Sequence, residues 1–128
     1  MAKILIVEDY LELQVFFVML LKMNNYDVRS ASSKKEVDAV LNEFSPDLIL
    51  LDVMLGGDDG REMCKDIKFM DENIAVILLS AHAKLLEDYN ECGADDVIEK
   101  PFNNDEVLNK IKNLLQLKFQ PLQQTKGL

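Results

Sequence analysis

A doubly wound α/β domain, five parallel strands with five helices packed on both faces, is predicted by three features of this 128-residue chain. Apolar runs of strand length recur near residues 3–7, 26–31, 47–51, 73–79 and 96–99. Between them lie segments of helical length with apolar residues every three or four positions, an alternation that calls for a parallel sheet joined by right-handed crossovers. Several runs also end in charged or hydroxyl residues, and in such folds the reactive site lies at the carboxyl ends of the strands.

The elements follow in order. Lys3 to Val7 is continuously apolar, as suits a central strand covered on both faces, and it ends in the acidic pair Glu8-Asp9. Residues 10 to about 24 contain no Gly or Pro, and Asn24-Asn25 ends that helix because Asn tolerates the left-handed conformation. Leu13, Phe16, Phe17, Leu20 and Leu21 serve its inner face. Tyr26 to Ala31 is a more polar strand, expected at a sheet edge. Ser32-Ser33 caps a second helix, in which Val37, Val40, Leu41 and Phe44 recur at helical spacing until Ser45-Pro46 stops it. The run through Leu48 to Leu51 is the third strand and drives Asp52 out at its carboxyl end. Leu55 to Gly60 is a turn-rich loop, and a third helix runs to about Phe69 with Met63, Ile67 and Met70 inward. Asn73 to Leu79 is the fourth strand, ending at Ser80. A fourth helix over about 83–91 stops at Cys92-Gly93. Asp96 to Glu99 forms a short fifth strand ahead of Lys100-Pro101-Phe102. Asn103 or Asn104 then caps a fifth helix carrying Val107, Ile111, Leu114 and Leu115. The reading is one domain over residues 1–120 and a flexible polar tail over 121–128.

Composition narrows the partners. A formal net charge of −9 repels nucleic acid and anionic membranes, so no direct contact with either is expected. No apolar run approaches the ~20 residues that span a bilayer. Met1-Ala2-Lys3 leads straight into the first strand and leaves no place for a signal peptide, which points to the cytoplasm. Cys64 and Cys92 form no C-x-x-C pair and read as reduced thiols; with only His82 to join them, they fall short of the four ligands of structural zinc.

A parallel sheet brings the carboxyl ends of its strands to one edge, and there the chain gathers Glu8, Asp9, Asp52, Ser80 and Lys100. Seen alone, an acidic pair in a loop is usually just solvated, a serine after a strand is usually a cap, and a lysine before proline usually lies on the surface. Their joint placement at four strand ends is what carries chemistry. Three crowded carboxylates repel and would force at least one to hold a proton. A divalent cation resolves that conflict, and hard oxygen donors suit magnesium. The set is suited to transfer of a phosphoryl group onto Asp52, since a carboxylate can act as nucleophile and form an aspartyl phosphate. Magnesium and Lys100 would neutralise charge on the equatorial oxygens, and the Ser80 hydroxyl would donate a hydrogen bond to one of them. An Asp-x-Asp hydrolase would need an acid where Met54 stands. A nucleotide-binding module would need a G-x-G-x-x-G or G-x4-G-K-[ST] loop, and neither occurs.

These pieces, taken as Ile6-Val7-Glu8-Asp9, Leu50-Leu51-Asp52-Val53-Met54, Leu79-Ser80-Ala81-His82-Ala83 and Gly93 through Lys100-Pro101-Phe102, resemble the receiver domain of two-component response regulators over about residues 2–119. The resemblance implies a flavodoxin-like sheet of order 2-1-3-4-5. It implies that Asp52 takes phosphate from a phosphohistidine on a sensor histidine kinase or histidine phosphotransfer protein. It also implies magnesium held by Asp9, Asp52 and the backbone carbonyl of Met54, with Glu8 acting through water, and a cis bond before Pro101. The chain is then a signalling phosphoacceptor rather than an enzyme with a separate substrate. Its output would be a downstream protein or a second copy meeting a surface formed by the fourth helix, fifth strand and fifth helix.

Two features depart from the family pattern. The loop after the acceptor usually reads Met-Pro-x-Met-Asp-Gly, whereas here Gly56-Gly57 raises loop freedom and Asp58 adds negative charge. Three residues before the lysine, where the family mostly carries Tyr or Phe, stands Val97. The switch would therefore couple Ser80 to Val97, with Tyr89 or Phe102 as candidates to stand in for the missing ring. These departures motivate an alternative, a phosphorylation-independent receiver acting as a protein-interaction module. On the first helix Leu11, Val15, Val18 and Met19 form a second apolar stripe, expected to dock a partner.

Overall fold

The computed structural model describes residues 1–119, so the tail expected over 121–128 lies outside the described residues. The five apolar runs pair as one parallel sheet: β1 (Lys3–Val7), β2 (Asp27–Ala31), β3 (Leu48–Asp52), β4 (Ala75–Ser80) and β5 (Asp96–Glu99). Their order is β2-β1-β3-β4-β5, with β2 at an edge as its polar sequence requires. Against the sheet lie α1 (Leu11–Met23), α2 (Lys34–Leu41), α3 (Gly60–Met70) and α4 (Asn104–Lys118).

Successive side chains of a strand point to opposite faces, so each central strand feeds two cores. Leu5, Val7, Ile49, Leu51, Val76 and Leu78 pack with Val37, Phe44, Met63, Cys64 and Ile67. Ile4, Ile6, Leu48, Leu50, Ile77 and Leu79 pack with Phe17, Leu21, Val107, Ile111 and Leu115. The chain steps from β1 outward to β2, then back past β1 to β3 and onward. Right-handed crossovers therefore place α1 on one face and α2 and α3 on the other. No helix among the described residues is long and apolar enough to cross a membrane.

Helix ends follow local chemistry. Asn25 adopts φ 68° just past α1. Ser33 accepts from the Glu36 N–H at 3.3 Å ahead of α2, and Asn103 accepts from the Glu106 N–H at 2.7 Å ahead of α4. The Lys100–Pro101 bond is cis.

Three expectations need correction. The fourth of the five helices is absent, and its segment forms two single 3₁₀ turns, Ala83–Leu86 and Tyr89–Cys92. Leu85, Leu86, Tyr89 and Cys92 all pack against the sheet, but the backbone is not helical at Asp88, at φ −106° and ψ 41°, which separates the two turns. Met70 is 65% exposed because it ends α3 beyond the sheet, and Cys64 fills the inner face with Met63 and Ile67. On α1, Phe16 stands at the border of the buried face, its ring against Phe17 and Phe102, while Gln14 takes the inner position. The acceptor loop turns at Gly56-Gly57. The two glycines close a hairpin in which Met54–Leu55 pairs antiparallel with Asp58–Asp59, Gly56 supplying the positive φ (57°) that a two-residue turn needs.

Two further features position the site. Gly60 starts α3 against the end of β3: its N–H donates to the Val53 carbonyl at 2.7 Å. A Cβ there would stand 2.1 Å from the Asp52 carbonyl oxygen and 2.9 Å from the Val53 Cα, so only glycine permits the approach. At the outer edge of β5, the Val97 N–H donates to Asp96 Oδ1 at 2.8 Å, and the Val97 carbonyl accepts from the Lys110 ammonium.

Candidate functional site

The sheet brings the carboxyl ends of its strands to one edge, and there the residues anticipated from sequence meet. Glu8 and Asp9 follow β1, Asp52 ends β3, Ser80 ends β4 and Lys100 follows β5. The Lys100 ammonium lies 2.9 Å from Asp52 Oδ2 and 3.3 Å from Glu8 Oε1. The backbone holds each carboxylate from its other side: the Met54 N–H donates to Asp52 Oδ1 and the Tyr10 N–H to Glu8 Oε2, both at 3.0 Å. Lys100 is tied to the neighbouring strand, its N–H donating to the Ser80 carbonyl at 2.8 Å.

Glu8, Asp52 and Ser80 are buried, Lys100 is half-buried and Asp9 is exposed. The Ser80 hydroxyl oxygen accepts from the His82 N–H at 3.0 Å, which leaves its proton available to donate. Burial, then the hydrogen bond its protonated form gives Asp52, pushes the Glu8 carboxyl up to about 7. Burial alone would lower the Lys100 ammonium, but the hydrogen bond and charge of Asp52, with Glu8 behind them, hold it above its ordinary value. One ammonium is thus shared by two buried acids, and burial of Glu8 beside Asp52 favours its protonated form.

The carboxylate oxygens of Glu8, Asp9 and Asp52 all lie within 4.8 Å of one another and could hold a metal ion. Hard oxygen donors, one of them exposed so that waters can complete the shell, fit magnesium better than a softer ion.

The Glu8 shift has a measurable sign. In metal-free protein, the stability contributed by its raised pKa is complete below about pH 4.5 and is lost as pH rises through about 7, a total of about 3 kcal/mol. Glu8→Gln should remove this dependence. Urea midpoints taken in chelator at about pH 5 and about pH 8 should fall further in the wild type than in the variant; an equal fall in both would contradict the assignment.

The remaining positions divide. Val97 is half-buried and packs in the same core as Tyr89, whereas Phe102 stacks on Phe17 at 5.2 Å on the opposite face of the sheet. Of the two rings considered as substitutes, only Tyr89 shares the core with Val97. Leu11, Val15 and Met19 are exposed, by 65, 47 and 59%, but Val18 packs inward against Phe17 and Leu21, so the apolar stripe has three members from that set.

Two residues were not anticipated. Asp59 caps α3, accepting from the Arg61 N–H at 2.9 Å. Gln14 is buried, and its amide nitrogen donates to the Glu8 carbonyl at 2.8 Å and to Ser32 Oγ at 3.0 Å. Its signal was in the sequence, as a polar residue three and seven positions before Phe17 and Leu21 on the apolar face of α1.

Comparison with known proteins agrees with this geometry. A family model described as the response regulator receiver domain matches residues 4–112. Sporulation initiation phosphotransferase F of Bacillus subtilis (strain 168) is 34% identical over 118 residues, covering 91% of this chain and 95% of that protein. The crystal structure of NtrX from Brucella abortus superposes with a TM-score of 0.86 at 26% identity, covering 91% of this chain but only 28% of NtrX. Response regulator TrrA from Thermotoga maritima, solved in complex with Mg(2+)-BeF, superposes with a TM-score of 0.82 at 28% identity, covering 89% of this chain and 99% of that one.

Proposed function

The chain belongs to the response regulator receiver domain family, and from that premise we propose that Asp52 accepts the phosphoryl group of a two-component phosphorelay. The observation that carries the proposal is the Lys100 ammonium lying between Asp52 and Glu8 at 2.9 and 3.3 Å. In the step, a carboxylate oxygen of Asp52 attacks phosphorus while the bond to the donor's imidazole nitrogen breaks and its electron pair stays on that nitrogen. Lys100 and the Ser80 hydroxyl receive phosphoryl oxygens. Asp9, Asp52 and the Met54 carbonyl would hold magnesium, with Glu8 through water, and magnesium when bound supplies further neutralisation of phosphoryl charge. Support for that ion comes from the clustered carboxylates and from the magnesium complex of TrrA. The test is incubation with acetyl phosphate and magnesium followed by intact mass. One added phosphoryl group per chain supports the reading, and no addition removes it.

The donor is a sensor histidine kinase or histidine phosphotransfer protein, consistent with the phosphotransferase to which the chain is 34% identical. It docks on the exposed stripe Leu11, Val15 and Met19, which begins two residues after Asp9. Val15→Ser with Met19→Ser should slow transfer from such a protein at least about tenfold and leave acetyl phosphate uptake unchanged; equal loss with both donors would discard this surface.

Phosphorylation brings roughly −2 charge to the site. In the switch, Ser80 moves toward the phosphoryl group and Val97 and Tyr89 repack behind it, altering the surface made by the two 3₁₀ turns, β5 and α4. A downstream protein or second copy responds only if it binds one state better than the other. In this reading the chain works in the cytoplasm as a signalling domain, not as an enzyme on a separate substrate, and touches neither nucleic acid nor membrane. No observation favours the phosphorylation-independent alternative.

A further inference from the structure

We propose that Gln14 is a positioning residue for the cation site, its side-chain amide holding the Glu8 peptide so that Glu8 and Asp9 face Asp52. The inference rests on the proposed cation-binding role of those three acids.

Gln14 lies on the inner face of α1 beside Phe17 and Leu21, where an amide is costly to bury unless it is hydrogen-bonded. It spends its amide nitrogen on two acceptors, the Glu8 carbonyl at 2.8 Å and Ser32 Oγ at 3.0 Å. Ser32 is itself fixed, its N–H donating to Glu36 Oε1 at 2.9 Å. The Glu8 N–H donates to the Ala31 carbonyl at 3.0 Å, the last rung between the ends of β1 and β2. Residue 8 is therefore held at its nitrogen by the sheet and at its carbonyl by Gln14. That carbonyl belongs to the peptide joining Glu8 to Asp9, so rotating it re-aims both carboxylates together. Asp9 makes no side-chain hydrogen bond among the described residues, so its backbone is what aims it. Gln14 touches neither the phosphoryl group nor the cation; it acts through the backbone of the residues that do.

Partners one shell out from metal ligands typically change metal affinity by about 10- to 100-fold when removed. Gln14→Met keeps the length and burial of the side chain and deletes both donated bonds. It should weaken magnesium binding by about tenfold, read by a magnesium titration of the unphosphorylated protein followed by amide NMR. The magnesium midpoint for phosphorylation by acetyl phosphate should rise by the same factor, while the rate at saturating magnesium stays within about twofold of wild type, because only positioning has been lost. Ser32→Ala keeps the bond to Glu8 and removes its brace, so it should weaken magnesium by a smaller factor, about threefold. This milder variant carries the test if Gln14→Met does not fold.

Unchanged magnesium affinity in the variants would overturn the inference while leaving the cation site standing. A lowered plateau rate with an unchanged magnesium midpoint would overturn it as well. Absence of magnesium binding by the wild type would remove the cation site and this inference with it.

Discussion

Asp52→Asn should take up no phosphoryl group from acetyl phosphate under conditions that load the wild type, a fall of at least about a thousandfold in rate. The substitution is nearly isosteric. Its amide oxygen can still accept the Met54 N–H, now 3.0 Å from Asp52 Oδ1, so the end of β3 keeps its shape. What disappears is the nucleophile, and no neighbour replaces it: Glu8 is buried and faces Lys100 from the other side, while Asp9 stands in the open with no ammonium beside it among the described residues. Intact mass at matched times gives the measurement, with urea midpoints to show that the variant is folded. Uptake within about tenfold of wild type would place the acceptor on another residue.

Lys100→Met should lower the same rate by about 10²- to 10³-fold at saturating magnesium. The ammonium is a fixed, half-buried donor 2.9 Å from the acceptor, in position before charge develops on the transferring group. Its removal also leaves Glu8 and Asp52 buried without their shared cation, at a cost of about 3 kcal/mol in metal-free protein. The two effects respond differently to magnesium. A divalent ion among the acids should restore much of the lost stability, so added magnesium raises the urea midpoint more in the variant than in wild type, yet the rate stays low. Recovery of the rate together with the stability would reduce Lys100 to a structural counter-ion.

The strands and the site were legible for one reason. Continuous apolar runs such as Leu48 to Leu51 admit no reading but burial on both faces, and a parallel sheet then forces whatever follows each run to one edge. Asp52, the acidic pair and Lys100 meet by topology, which alternation alone reveals. The helices are less legible because their form depends on tertiary packing. The segment around Asp88 has helical length, composition and apolar spacing, yet its backbone leaves the helical region at Asp88 and it breaks into two turns. Gly56-Gly57 reads as freedom in isolation, whereas pairing of the flanking residues converts it into a hairpin. Gln14 is hard to single out because a glutamine in a helix is commonplace; its meaning lies in the Glu8 carbonyl it reaches, and no spacing rule encodes that.

The hydrogen bonds that cover the outer rim of β5 restrict how another molecule can meet that side. With the Val97 N–H given to Asp96 and its carbonyl occupied by Lys110, the rim offers little backbone for an incoming strand to pair with. At Val97, association proceeds side chain against side chain, without a ribbon continuing from one molecule into the next. Such a contact can loosen and re-form as the domain changes state, and the rim is spared the runaway stacking that an open strand invites.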